Sequence, residues 1–126
     1  MEFNMNQDKR DNIIFNGKVD YSGGICSFNN MDYETLEKLV ALKFADPEDA
    51  QNSAPTLLEF LTFMKKHPCF LAHGYVVESK RSDYRVSIEG LQGATNNQEE
   101  LKSFREFNKY ADERVARKGY QWSWWD

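Results

Sequence analysis

A two-layer α+β domain, with an antiparallel sheet of about four to six strands and helices on one of its faces, is what this sequence predicts. Three observations carry that expectation. Residues 70–91 read as two strands around a polar turn, several stretches space their apolar residues with helical period, and the run Tyr120-Gln121-Trp122-Ser123-Trp124-Trp125 alternates like a final strand. At 126 residues the chain fits one domain that can bury a core without staples. Residues 1–11 are polar and lack periodicity, so they are assigned to a flexible lead-in and residues 12–126 to the domain.

The elements follow in chain order. Asn16-Gly17 separates two runs within residues 12–21, and both residues tolerate the positive φ of a type I′ turn, which predicts a tight hairpin. Ser22-Gly23-Gly24 ends it, and Ile25-Cys26-Ser27-Phe28 reads as a short strand. Asn29, Asn30 and Asp32 are candidate caps for an amphipathic helix from about Tyr33 to Phe44. Residues 45–54, with Asp46-Pro47-Glu48-Asp49, form either one helical turn or an acidic loop. Ser53 or Thr56 caps a second, well-buried helix through Leu57, Leu58, Phe60, Leu61 and Met64, with Lys65-Lys66 at its C-terminal dipole and Pro68 as its stop.

Residues 70–78 and 84–91 are expected to pair with Val77 opposite Tyr84 and Tyr75 opposite Val86, which sets His73 on the inward face with Val86 and Ile88. A long helix is expected over residues 98–118, burying Leu101, Phe104, Phe107, Ala111 and Val115. Glu99 and Glu100 suit its start, Arg114, Arg117 and Lys118 its last turn, and Gly119 its stop. Taken from Ile25 onward, this order matches a ferredoxin-like, split-βαβ layout preceded by an extra N-terminal hairpin.

Composition narrows the function. Aromatic residues make up 14% of the chain, too many for a disordered polymer, and the longest apolar runs fall far short of the ~18 residues that read as a membrane span. The start lacks a basic segment followed by an apolar one, so the expectation is a cytoplasmic protein with Cys26 and Cys69 reduced and buried. Residues 1–62 hold five Lys/Arg against eleven Asp/Glu, and residues 63–126 hold eleven against nine. An acidic first half and no overall basic excess disfavour bulk nucleic-acid binding.

Reactive groups concentrate in His67-Pro68-Cys69-Phe70-Leu71-Ala72-His73, with Cys26 as a fourth candidate. Strand alternation places Cys69, Leu71 and His73 on one side, whereas His67 precedes Pro68 at a helix end, and no paired Cys-x2-Cys knuckle is present, so no metal or other cofactor is expected. Cys69 or Cys26 with His73 does not form a recognisable nucleophile pair. Glu99-Glu100 is better read as a helix start than as an acid/base pair, and Gly23-Gly24 as a turn than as a phosphate cradle.

Two surfaces remain. The polar turn at 79–83 carries Lys80 and Arg81, with Arg85 just beyond, which with exposed aromatic rings makes nucleic-acid binding the alternative reading. The following strand lacks the Gly and aromatic pattern of an RNA-recognition sheet. The terminal aromatic run is the stronger candidate, because Tyr120, Trp122, Trp124 and Trp125 must either dock on the body of the protein or bind something else. Alternation sends Trp125 opposite to Trp122 and Trp124, so one side is expected to be core and the other interface. The preferred function is therefore a small interaction module of inhibitor, immunity or adaptor type, binding another protein or a second copy through an acidic surface or the aromatic C-terminal edge. An enzyme or ligand-binding domain is the third reading, with His73, Cys69, Tyr75 and Glu89 as its pocket candidates.

Overall fold

The computed structural model describes residues 1–126. It contains α1 (Gln7–Phe15), β1 (Ile25–Met31), α2 (Tyr33–Ala41), α3 (Leu57–Lys66), β2 (Leu71–Val77), β3 (Val86–Gly93), α4 (Gln98–Phe107), β4 (Glu113–Arg117) and β5 (Tyr120–Trp124). The strands form one five-stranded sheet in the order β1-β2-β3-β5-β4, antiparallel throughout. Apolar residues from all four helices join one core with Phe28, Val76, Val86, Ile88 and Trp125 of the sheet side. The two-layer α+β architecture is thus present. Its strand order is not ferredoxin-like: a split βαβ unit inserts a later strand between its first two, whereas β1 and β2 are direct neighbours.

The N-terminal region departs most from expectation. Residues 7–15 are helical, and Asn16, with φ 57°, is the left-handed C-cap of α1 rather than the first corner of a hairpin. The lead-in is anchored, too. Arg10 is fully buried: its Nε bonds Asp11, its Nη1 donates to the Val77 carbonyl at 2.9 Å, its Nη2 donates to the Tyr21 hydroxyl at 2.9 Å, and its guanidinium lies 4.6 Å from the Tyr84 ring. The Tyr21 hydroxyl in turn donates to Asp11. Every hydrogen-bonding arm of the cation is therefore engaged, the condition under which a buried guanidinium is tolerated.

The central elements lie close to their expected places. Asp32 caps α2, and Thr56 and Glu59 form a reciprocal capping box on α3. α2 stops at Ala41, although Phe44 remains buried, and residues 46–54 are an acidic loop rather than a helical turn. α3 buries Leu57, Phe60 and Met64 but leaves Leu58 52% exposed, so it is amphipathic rather than buried all round.

The β2–β3 hairpin forms one residue away from the expected register. Val76 opposes Val86, Tyr75 opposes Ser87, and a bulge follows His73. A one-residue slip exchanges faces. Val76, Val86 and Ile88 therefore face the helices, while His73 and Tyr75 lie on the opposite side.

The expected long helix is divided. α4 ends at Phe107 because Asn108, buried at 1% exposure, turns its side-chain amide back to the Phe104 carbonyl at 2.8 Å. Residues 113–117 then pair with the aromatic strand as β4, with Val115 opposite Trp122. Gly119, at φ 81°, is the turn residue between β4 and β5 rather than a helix stop.

Candidate functional site

The face of the sheet opposite the helices carries the candidate site. Alternation from the core positions assigns Ser27 of β1, His73 and Tyr75 of β2, Ser87 and Gln92 of β3, Tyr120, Trp122 and Trp124 of β5, and Glu113, Val115 and Arg117 of β4 to it. No helix packs there. The loop at Gln51 covers one corner only, where its amide donates to Ser87 Oγ at 2.9 Å and to the Tyr75 hydroxyl at 3.3 Å. That loop, with Asp49, Asn52, Tyr75 and Arg85, borders a polar cleft of about 450 Å³.

β5 divides its tryptophans between the two faces. Trp125 is 2% exposed and meets Phe60 edge-to-face at 5.6 Å between centroids, so it belongs to the core and not to a binding surface. Trp122 and Trp124 are half-buried on the other face, and Tyr120 is 43% exposed. Of the four aromatic candidates read from the sequence, three line the uncovered face.

Trp122 is held by an inter-strand stack. His73 reaches across β3 at Gly90, and its Nε2 lies 2.7 Å from the Ser123 carbonyl. The imidazole and Trp122 rings are parallel within 3° at 5.6 Å. Glycine at position 90 makes this crossing possible, since a Cβ there would lie 1.9 Å from the Ser123 carbonyl oxygen and 2.8 Å from His73 Nε2. Burial holds the His73 imidazole below its usual pKa, so the neutral ring donates through Nε2 at neutral pH. Trp124 is fixed by its indole N–H, which donates to Glu89 Oε2 at 3.2 Å, while Glu113 of β4 sits directly opposite it.

His73 and Glu89 thus contact the aromatic strand, whereas Tyr75 is engaged by Gln51 and Arg85 beside Ser87 and Cys69 by Glu100. Cys69 is an exposed residue whose sulfur lies 3.0 Å from Glu100 Oε2. Loss of water around the sulfur and the bond to Glu100 push its thiol up to about 12. A thiol so protected is a poor nucleophile at neutral pH. Cys26 is half-buried, so neither cysteine is fully buried as expected. His67 packs tilted against Phe63 and edge-on to Phe70, and no group of three His, Cys, Asp or Glu side chains is gathered closely enough to hold a metal ion.

The basic turn is largely self-neutralised. Arg81 makes a two-pronged pair with Asp83 at 2.8 and 2.6 Å and donates to the Gly23 carbonyl. Arg85 bonds the same carboxylate and donates to the Tyr75 hydroxyl at 2.7 Å. Among the three candidate cations only Lys80 has no ion-pair partner. No family model, curated protein or solved structure matches this chain. No helix is long and apolar enough to cross a membrane.

Glu113 is the surface residue that sequence reasoning missed. Read as part of a helix, it had no relation to Trp124, and Glu113-Arg114-Val115-Ala116-Arg117, which does not alternate polar with apolar residues, carries no local strand signal.

Proposed function

We propose that this protein is a small interaction module that binds another protein through the uncovered face of its sheet, with Trp122, Trp124 and Tyr120 as the contact residues. One observation carries the reading: three large aromatic side chains of a single strand remain half-buried or exposed on a face that no helix covers. Half-buried tryptophans held in fixed orientation supply contact area at low entropic cost, which is why Trp and Tyr dominate binding hot spots. The aromatic strand is preferred over the acidic N-terminal surface because its rings are already positioned, by the His73 stack and by the Glu89 bond. Two free thiols support a cytoplasmic setting. The basic surface at the 79–83 turn is the weaker one, since Asp83 occupies Arg81 and the neighbouring Arg85 and leaves only Lys80 without an ion-pair partner.

The test is in-cell cross-linking with the full chain, followed by identification of the cross-linked protein and repetition with Trp122→Ala/Trp124→Ala, folding being checked by circular dichroism. A discrete adduct that disappears in the folded double variant is expected. An adduct of unchanged yield in that variant places the interface elsewhere.

A further inference from the structure

The charge around the aromatic strand is not uniform. Across the sheet, Trp124 lies between Glu89 on β3 and Glu113 on β4, and exposed Asp112 and Asp126 meet at the same end of the strand, where the Asp126 amide donates to an Asp112 carboxylate oxygen. Trp122 lies in a neutral row between Gln92 and Val115. Tyr120, at the opposite end of the strand, pairs with Arg117, whose guanidinium lies 5.7 Å from its ring. Arg85, the other cation near this face, is engaged by Asp83 and the Tyr75 hydroxyl. Neither Glu89 nor Glu113 takes part in an ion pair.

From this arrangement we infer that the Trp122–Trp124 end of the sheet receives an arginine- or lysine-bearing segment of its protein partner. The inference rests on the interaction reading above and specifies the partner's chemistry. A cation over an indole is attracted by the ring's negative face, and tryptophan is the strongest such platform. Glu89 and Glu113 flank that ring, so a guanidinium laid on Trp124 has carboxylates on both sides. An anionic strand of nucleic acid meets repulsion there, because Glu89 and Glu113 flank the ring, Asp112 and Asp126 lie at the same end of the strand, and the one free cation of the face lies at the Tyr120 end. The opposite end of β5, with Arg117 and Tyr120, sets the polarity: the cationic part of the segment is directed toward Asp126 and not toward the β4–β5 turn.

The probe is hexa-arginine, titrated into the intact protein while tryptophan emission is followed, with hexa-glutamate and a single-stranded oligonucleotide as comparison ligands. Saturable quenching by hexa-arginine alone is expected, weakening as salt is raised. Glu89→Gln/Glu113→Gln should weaken it roughly three- to tenfold, as two lost charge contacts imply. Glu34→Gln/Glu48→Gln, on the acidic half, should leave it unchanged, which separates this site from general attraction to an acidic protein. Absence of quenching, an equal response to hexa-glutamate or the oligonucleotide, or equal weakening by both double variants overturns the inference. If hexa-arginine fails while the cellular adduct still depends on Trp122 and Trp124, the partner is not cationic but the interaction reading stands. If the adduct is also independent of those tryptophans, both fall.

Discussion

The two faces of β5 use the same residue type for opposite purposes. On one face Trp125 is sealed against Phe60 beneath the helices; on the other Trp122 and Trp124 are fixed by single polar or stacking partners and remain open to solvent. The difference shows that tryptophan content alone does not mark a binding surface. What marks it is which side of the pleat the helices cover, and that is set by the register through which β5 joins β3.

The sharpest way to break the comparison is to remove the buried ring. Trp125→Ala should cost about 3–5 kcal/mol, the range for large aromatic deletions in cores, read as a fall in urea midpoint. A loss below about 1 kcal/mol would mean that Trp125 is not a core residue. Arg10→Ala comes next, at about 3 kcal/mol, because it leaves the buried Asp11 carboxylate without its cation and removes the donor to the Val77 carbonyl. An unchanged midpoint would return residues 1–11 to the role of a flexible lead-in.

The open face should respond less. Trp124→Ala is expected to cost about 1 kcal/mol or less, since the ring is half-exposed and loses one hydrogen bond. A cost equal to that of Trp125→Ala would erase the distinction between the faces. His73 gives the open face a pH dependence of definite sign. Its folded pKa lies below the ordinary value, so the unfolded chain binds this proton more readily. Its contribution is fully present above the ordinary imidazole pKa of about 6.5 and is lost as pH falls through that value toward the folded one. His73→Gln should flatten the stability profile over that window, and an unaltered slope would assign the dependence to other groups. The smallest effect is chemical: Cys69 should alkylate more slowly at neutral pH than an unstructured cysteine, and Glu100→Gln should speed it.

Sequence patterns conveyed some parts of this molecule and misled at others, for physical reasons. α3 was legible because Thr56 and Glu59 supply a capping box and Leu57, Phe60 and Met64 supply the period. β5 was legible because alternation is unambiguous when the side chains are this large. The N-terminus was misread because Asn16-Gly17 answers two needs: tolerance of positive φ serves a hairpin corner and a helix C-cap equally, and α1 lacks an apolar stripe to decide between them. Residues 98–118 were misread because Phe104, Phe107, Ala111 and Val115 keep helical spacing across a break. Only pairing with β5, a contact remote from local propensity, makes residues 113–117 a strand. The candidate site was half visible for the same reason. Trp122 and Trp124 stood out in the sequence, while the pairing of Trp124 with Glu113 required the hairpin.

The most direct test of the account is acrylamide quenching of single-tryptophan proteins, the other two indoles being replaced by phenylalanine, with mass measured by light scattering in the same samples. The protein retaining only Trp125 should emit to the blue and resist quenching, and those retaining only Trp122 or Trp124 should emit further to the red and be quenched readily as monomers. Equal protection of all three indoles in a monomer, or a readily quenched Trp125, would contradict the division of β5 into a core face and an open one.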